Sequence, residues 1–435
     1  MKSNHPIQVL GGDLKPMLIG LSKVIPRNES HPIFRQVKVS SHGRKAIQLN
    51  AARSDFQLDL TVRARIEDSF DPFLVPLTDL RGLAGKAKPR DTIALGAISK
   101  TAISEAQEFP DPDSLRTAVI KLPDQVVSSL LNAFACASGD DSRYILKSAK
   151  IDASRSGKGT VRIVGTDGRH LFRSADHSVP RLRSSVILPD HKLWRWKPLA
   201  VSRPWTLQVG AQQSGLRPFQ LTGPFWTIHG RTVQGNYPDY RQVIPDSKAT
   251  RVRIRLPEPI THAVIRQISE LPGKKLANRP VGILLEKETL TLLARERFGQ
   301  SWSRFPIGKV EVTGQPEAPV FINRDFLHKA LRFGLTEIGI IDETAAVQFC
   351  QEGNVLIAMP LRNNDPYDPP NEARRPPPTK KKATKRRLHP RKFLPNQNPN
   401  HNPRWIRSNR LRRSWLKPKR LSVWRPVDFV PPMRP

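Results

Sequence analysis

Apolar residues recur along this chain with two different periods, and each period predicts a different element. After Leu122-Pro123-Asp124-Gln125, apolar residues at helical spacing (Val126 through Phe134) predict an amphipathic helix. A proline in the first turn with an acid beside it is a typical helix start. Short alternating runs, such as Ile47 with Leu49, Val161 with Ile163 and Leu290 with Leu292, predict half-buried strands. The pattern therefore predicts a mixed α and β protein.

Two pairs of segments repeat at the same offset of 134 residues. Leu256-Pro257-Glu258-Pro259 opens a second apolar-periodic helix like the one after Leu122. Val186 to Asp190 predicts a strand feeding a helix through Leu199, and Val320 to Arg324 predicts a strand feeding a helix through Phe333. Two segment pairs with one offset indicate internal repetition.

The N-terminal third shows the same order at looser spacing. The pattern predicts a helix from Leu14 to Ile25, a strand from Pro32 to Val39, and a strand Phe73–Pro76 feeding a helix from Leu77 to Ala84. Glu108-Phe109-Pro110-Asp111 weakly repeats Asn236-Tyr237-Pro238-Asp239. We therefore expect an α+β fold of three similar domains, 1–119, 120–250 and 251–362, each with two helices packed on a mostly antiparallel sheet.

Composition changes abruptly after Arg362. Residues 363–435 carry 20 Lys and Arg against 4 Asp and Glu, with few aliphatic residues, so we expect a largely disordered basic tail rich in Pro, Arg and Trp. Its tryptophans (Trp405, Trp415 and Trp424) stand among arginines and lysines. This composition suits stacking on unpaired bases, an anionic membrane surface, or a solvated extension of no particular use.

The formal charge of +34 indicates a polyanionic partner, nucleic acid or an anionic membrane, and residues 1–362 keep +18 of it. Cys136 and Cys350 share no metal or redox spacing, which favours two small buried thiols in a reducing compartment. No apolar run reaches the ~18 residues of a membrane span, and the N-terminus lacks a signal-peptide core. We expect a cytoplasmic protein.

The run from Arg231 to Pro245 is the most informative stretch. It predicts a strand at Thr232 and Val233, a Gly-Asn turn, the aromatic-Pro-Asp-aromatic sequence Tyr237 to Tyr240, and a second short apolar strand closed by Pro245. Pro238 and Val243 are then apolar groups on a rigid loop without an acid, base or nucleophile pair. The run indicates a docking surface.

Catalytic motifs are not apparent in the sequence. Asp167 and His170 flank a tight turn at Gly168, which is ordinary turn chemistry. Ser154 to Thr160 has loop composition without the spacing of a phosphate loop, and neither HExxH nor GxGxxG occurs. We expect a non-enzymatic protein with no cofactor and no metal site.

Five segments in order resemble the bacterial β sliding clamp family, the DNA polymerase III beta subunit. They are Arg143 to Leu146, which we predict to begin a strand, Val164 to Leu171, Gly235 to Pro245, Phe321 to Leu327, and Val355 to Arg362. The resemblance spans about residues 10–362. It implies a clamp fold in which two three-domain subunits form a head-to-tail ring around duplex DNA, as the processivity factor of a replicative polymerase.

Two sets of site residues follow. Cationic residues of predicted helices, together with Tyr144 by resemblance, are expected to face DNA without reading its sequence: Lys23, Arg27, Tyr144, Lys192, Arg195, Arg266, Lys329 and Arg332, with Lys15 and His262 beside them. The resemblance also implies a cleft for short linear motifs of the polymerase and the clamp loader, formed by Leu146, Thr166, Gly168, Leu171, Pro238, Val243, Ile357, Met359, Pro360 and Leu361.

Two positions depart from the family pattern near this cleft. Gln242 stands where the family often has Arg, and Asn363 stands where a terminal Leu is common. The chain also continues beyond this point. A divergent clamp paralogue with altered partners therefore stays an alternative, as does a basic structural nucleic-acid-binding protein that closes no ring. An enzyme of DNA metabolism would need an acidic metal cluster, which the sequence does not display.

Overall fold

The computed structural model describes residues 7–26, 30–67, 69–95, 108–112, 115–153, 159–213, 215–314 and 318–362. It divides the chain into compact units at residues 1–369 and 370–435, and every described residue belongs to the first unit. The predicted tail with its three tryptophans lies outside the described residues, as does Arg27.

Similar element orders occur three times along the chain. The first is the shortest in the described residues and contains strands and helices β1 (Gln8–Leu10), α1 (Gly11–Val24), β2 (Gln36–Ser41), β3 (Ala46–Ala52), β4 (Phe56–Arg63), β5 (Phe73–Pro76), α2 (Leu77–Lys86) and β6 (Thr92–Ala94). A 3-10 turn, Pro32–Arg35, precedes β2, so the predicted strand begins four residues later than expected because Pro32 opens that turn.

The second repeat contains one helix of thirteen residues and one short helix. Its elements are β7 (Ile120–Leu122), α3 (Asp124–Cys136), β8 (Ser148–Asp152), β9 (Thr160–Thr166), β10 (His170–Arg173), β11 (His177–Ser178), β12 (Val186–Pro189), α4 (Lys197–Val201), β13 (Trp205–Val209), β14 (Pro218–Thr222) and β15 (Trp226–Arg231).

Within the described residues, the third repeat follows the same order of nine strands and two helices as the second. Its elements are β16 (Val252–Arg255), α5 (Glu258–Glu270), β17 (Pro280–Glu286), β18 (Thr289–Ala294), β19 (Ser303–Lys309), β20 (Glu311–Thr313), β21 (Val320–Asn323), α6 (Arg324–Arg332), β22 (Glu337–Ile340), β23 (Val347–Gln351) and β24 (Asn354–Ala358). The offset read from the sequence thus corresponds to equivalent elements, α3 with α5 and β12 with β21.

The repeats join edge to edge through antiparallel strand pairs. Strand β4 pairs with β15, giving the sheet β5-β2-β3-β4-β15-β14-β13-β7. Strand β10 pairs with β24, giving β12-β8-β9-β10-β24-β23-β22-β16-β20, with β11 on β9. The sheet β19-β18-β17-β21 and the pair β1-β6 complete the described strands. The α+β class is therefore confirmed.

The helices adjoin one another on one side of these sheets. Trp196, just before α4, packs against Gly20 of α1 and donates from Nε1 to Pro16 O at 3.1 Å. Gly165 of β9 lies directly under α3, where a Cβ would stand 2.0 Å from Ala133 O. The main core fills the space between helices and sheets and is continuous across all three repeats.

Three local predictions were wrong. The helix expected through Leu199 is broken into a 3-10 turn, Lys192–Arg195, and α4, with Trp196 extended between them. Pro198 explains the break, since it lacks the N–H that a continuous helix needs at this position but is tolerated in a first turn, which is where α4 has it.

The other two concern predicted strands that are turns. Residues Arg143 to Leu146 form a 3-10 turn and its continuation, and β8 begins only at Ser148, because the Asp140 carboxylate accepts from Ser142 N at 3.0 Å and starts the turn. After β15 ends at Arg231, the second predicted strand is instead the 3-10 turn Tyr240–Val243.

Candidate functional site

A small apolar cluster lies on the sheet face opposite the helices, at the junction of β10 and β24. Side chains alternate along each strand, so Phe172 and Leu356 point into the main core while Leu171 and Ile357 point away from it. Leu171 stands directly opposite Ile357 in the strand register. The cluster is completed by Val164, Tyr240, Ala346 and Val355, with Tyr237, Ile244 and Cys350 packed against it. We name this the outer cluster.

The turn between β9 and β10 borders the outer cluster and is rigidly hydrogen-bonded. Thr166 Oγ1 donates to His170 O at 2.7 Å and accepts from Gly168 N at 3.0 Å. Gly168 has φ +84°, a conformation that favours glycine. Met359 N donates to Arg169 O at 2.9 Å, which fixes the end of β24 beside this turn.

The Tyr237 to Ile244 loop is held on the outer cluster by a buried carboxylate. Tyr240 donates its hydroxyl proton to Asp152 Oδ2 at 2.8 Å, and Arg241 Nη2 donates to the same oxygen at 3.2 Å. Asp239 Oδ1 accepts from Arg241 N and begins the 3-10 turn. Burial and the Asp152 carboxylate both raise the pKa of Tyr240, so the phenol keeps its proton. The loop is thus fixed at its centre.

These segments place buried and exposed apolar residues next to one another. Leu171 and Ile357 are buried in the outer cluster, while Val243 is 51% exposed and Met359 is 48% exposed. The exposed pair lies on segments that the sequence predicts to bind short linear motifs. We name the region bounded by Thr166, Gly168, Leu171, Pro238, Val243, Ile357 and Met359 the outer cleft.

Three further predicted cleft residues lie at its margins. Leu146 approaches the turn, since its Cδ1 lies 3.9 Å from where a Cβ on Gly168 would stand. Leu361 donates its N–H to Phe321 O at 2.7 Å, so the chain after Met359 and Pro360 turns toward β21. Tyr144 is 61% exposed, and its hydroxyl lies near Gly235 at the start of the loop.

Lys329, predicted to face DNA, instead ties the second repeat to the third. Its ammonium donates to Ala135 O at the end of α3 and to His170 Nε2, both at 2.7 Å. Because Lys can only donate, His170 accepts at Nε2 and donates from Nδ1 to Asp167 Oδ1 at 2.8 Å. Burial, with the Lys329 charge, lowers the pKa of His170.

Asp167 completes this junction and is strongly held as a carboxylate. Burial alone would raise its pKa, but the hydrogen bonds that it accepts from His170 Nδ1 and from two backbone N–H groups lower it to about 2. His170 also stacks on Phe326 of α6, with ring centroids 4.1 Å apart. Asp167 and His170 therefore orient the turn and the α6 helix.

The other predicted cations lie on or beside the helices. His262 and Arg266 of α5 share a shallow groove with Arg332 of α6, and all three are exposed. Lys192 is exposed on the 3-10 turn before α4, while Arg195 of the same turn pairs with Asp190 Oδ2 at 3.2 Å. Lys23 is half-buried in the last turn of α1, and Lys15 donates to Ala87 O beside α2.

Sequence reasoning missed Asp152, the carboxylate that anchors the loop. It stands at the end of β8, and Lys150 Nζ lies 3.2 Å from its Oδ1. A lone acid at a strand end carries no recognisable signal, since its partner Tyr240 is distant in sequence. Among the described residues, no group of His, Cys, Asp or Glu is arranged to hold a metal ion, and no helix is long and apolar enough to cross a membrane.

Comparison with solved structures identifies the fold. The chain superposes on a Caulobacter crescentus β sliding clamp with TM-score 0.66 and 18% identity, covering 82% of this chain and 99% of that one. A griselimycin-bound Pseudomonas aeruginosa clamp gives 0.64 and 18%, covering 82% and 100%. The Thermotoga maritima DNA polymerase III beta subunit gives 0.62 and 16%, with the same coverage. No protein-family model and no curated protein sequence matches the chain.

The described part of this chain therefore has a repeated α+β architecture with a small apolar cluster at a repeat junction. Specifically, it has the fold of the bacterial β sliding clamps, in agreement with the expectation from sequence.

Proposed function

We propose that this protein is a DNA sliding clamp, a beta subunit of DNA polymerase III that encircles duplex DNA and tethers the replicative polymerase. The observation that carries the proposal is the arrangement of three sheet-joined repeats with their helices on one side and the outer cleft on the other. The side with the helices is then the surface for DNA, and the opposite side, with the outer cleft, is the surface for proteins. The role is non-catalytic and cytoplasmic.

Ring closure by two copies is supported by an unused strand edge. The equivalent strands β4 and β10 each pair with the last strand of the following repeat. Strand β19 holds the same place in the third repeat, and no described strand pairs with its outer edge. In a head-to-tail dimer this edge pairs with the first repeat of a second copy.

The helix surface supports sequence-independent binding to DNA. A ring that slides must attract phosphates without fixing a register on the bases, which mobile cations on helices accomplish. Lys23, Lys192, Arg266 and Arg332 meet this requirement best, and Arg195 contributes more weakly because Asp190 pairs with it. Arg27 and Tyr144 stay predictions as DNA contacts. We leave Lys329 out of this surface because it holds the repeat junction.

The outer cleft supports docking of short apolar motifs from the polymerase and the clamp loader. Its floor is buried and preformed, so a ligand side chain gains apolar burial without reorganising the cleft. Val243 and Met359 at the rim are exposed and adaptable, and Met suits surfaces that accept several ligands. Pro238, Pro360, Leu361 and Leu146 extend these walls in the proposal.

Native mass spectrometry of the full-length protein tests the oligomeric part of the proposal. A ring of two subunits has twice the chain mass of 49.1 kDa. We expect this species to dominate at micromolar concentration and to dissociate only on dilution. A protein that stays monomeric at tens of micromolar contradicts the closed dimer, while larger open-ended series indicate filaments rather than rings.

A further inference from the structure

The internal repeat generates a second groove, at the junction of β4 and β15. In the outer cleft, Leu171 stands opposite Ile357 and His170 stands opposite Ala358. At the β4–β15 junction, Gln57 stands opposite His229 and Phe56 stands opposite Gly230. Gln57 and His229 therefore occupy the places that Leu171 and Ile357 occupy in the outer cleft.

The wall of this groove repeats the loop that borders the outer cleft. Pro110 and Leu115 have the same spacing as Pro238 and Val243. Phe109 packs on Ala52 and Leu74, as Tyr237 packs on the outer cluster. The groove has a volume of about 140 Å³. It is lined by residues 53–57, 110–112 and 229–231, with Leu115, Pro218 and Phe219. We name it the polar groove.

A buried carboxylate organises the floor of the polar groove. Asp59 is 7% exposed, and its Oδ1 accepts from Asn50 Nδ2 at 2.7 Å and from Gln57 Nε2 at 2.8 Å. Its Oδ2 lies 3.0 Å from His229 Nε2. Because a carboxylate only accepts, each neighbour must turn a donor toward Asp59.

This orientation fixes which atoms remain for a ligand. With Nε2 of Gln57 and Nε2 of His229 engaged, Gln57 Oε1 remains as an acceptor, as does His229 Nδ1 in the tautomer that donates from Nε2. Within the described residues, neither atom has a hydrogen-bond partner in the protein. Neither is among the fully buried polar atoms that lack a partner, so both are accessible to a ligand. A ligand that binds this floor must therefore donate hydrogen bonds.

The volume and the charge of the polar groove restrict the class of ligand further. Pockets for small molecules have volumes of roughly 300 to 1,000 Å³. The polar groove has about 140 Å³, which suits one side chain of a larger partner. Asp111 pairs with Lys38 Nζ at 3.2 Å. The charges at the groove, Arg53, Arg231 and Lys38 against Asp55, Asp59 and Asp111, sum to zero, so the groove favours a ligand without net charge. An uncharged amide side chain meets all three conditions.

We propose that the polar groove binds an extended peptide segment of a partner protein through a Gln or Asn side chain. The amide N–H groups of that side chain donate to Gln57 Oε1 and His229 Nδ1, and Leu115, Pro110 and Pro218 cover its methylene groups. The choice of a peptide rests on the proposed function, since it extends to this junction the ligand class proposed for the outer cleft.

Two variants and a matched control test the site. Ser54→Trp, at an exposed turn position, fills the groove mouth, and Gln57→Met removes the acceptor with little change in shape. Val243→Glu, at the position equivalent to Leu115, alters the outer cleft instead. Full-length proteins are probed with an array of hexapeptides whose central residue is fixed as Gln, Asn, Leu, Glu or Lys, and thermal unfolding checks that each variant is folded.

We expect peptides centred on Gln or Asn to bind the wild type and to lose at least tenfold in affinity with Ser54→Trp and with Gln57→Met, measured by fluorescence anisotropy. Val243→Glu should leave them unchanged and weaken Leu-centred peptides. If only Leu-centred peptides bind, the proposal for the polar groove is wrong and the proposal for the outer cleft stands. If Glu-centred or Lys-centred peptides bind best and Ser54→Trp weakens them, the ligand of the polar groove is not an amide side chain. If no peptide binds, the proposals for both sites are wrong.

Discussion

Replacing Arg266 and Arg332 by alanine should weaken DNA binding in a salt-dependent manner. Each phosphate contact contributes about 0.9 to the slope of log K against log salt concentration for duplex DNA. Both guanidinium groups are exposed in one groove between α5 and α6, so their loss should reduce the slope by about 1.8 if each meets a phosphate. Over a fourfold rise in salt, that difference corresponds to about a 12-fold change in relative affinity.

The assay is fluorescence anisotropy with a short labelled duplex between about 50 and about 200 mM salt. The matched control is the double alanine variant of Arg253 and Arg255, which are exposed on β16 while Val252 and Ile254 on the same strand point into the core. The control should retain the wild-type slope. An unchanged slope in the Arg266 and Arg332 variant, or an equal reduction in the control, refutes the assignment of DNA to the helix surface.

Three further predictions concern the outer cleft and the turn beside it. Val243→Glu should weaken an apolar clamp-binding peptide at least tenfold in an anisotropy titration while leaving the melting temperature unchanged, because Val243 is half-exposed; equal affinity would exclude Val243 from the cleft. Tyr240→Phe should lower the free energy of unfolding in urea by about 1.5 kcal/mol, since it removes one hydrogen bond to the Asp152 carboxylate; no loss would mean that this bond does not anchor the loop. Asp167 has a pKa lowered to about 2, so its stabilisation is full above the unfolded pKa near 4 and is lost as pH falls through about 2. Asp167→Asn should flatten the stability profile across that window, and a profile of unchanged steepness would contradict the pairing with His170.

Repetition in the sequence predicted the α+β class and the helix starts. Helices α3 and α5 begin after Pro123 and Pro257 as expected, and α6 begins with Asn323 accepting from Asp325 N at 2.8 Å. These starts depend on local chemistry, namely prolines and side-chain caps, which is readable from a single sequence. The pairing of β4 with β15 and β10 with β24 joins residues far apart in the chain and was not predicted.

Turns replaced strands where a short polar side chain competes with sheet hydrogen bonds. Asp140 and Asp239 each accept from a backbone N–H two residues later, which starts a 3-10 turn before a run of apolar character. An apolar run alone therefore predicted strands at Tyr144 and at Val243 that do not form.

The contacts of Lys329 could not be predicted from the sequence for a different reason. Its spacing with Arg332 matches a solvated basic face, and only the three-dimensional approach of α3 and β10 makes it a bridge to Ala135 O and His170. The outer-cleft residues stay predictions as partner contacts, although the structure does place Leu171 opposite Ile357 at the β10–β24 junction.

Topological retention on DNA tests the central claim most directly. The full-length protein is incubated with nicked circular DNA at low salt, transferred to high salt to remove electrostatic binding, and separated by gel filtration before and after a restriction enzyme linearises the circle. A sliding clamp should remain with the circles and be released when they are cut. Equal retention on circular and linear DNA, or no salt-resistant retention on circles, would contradict the ring.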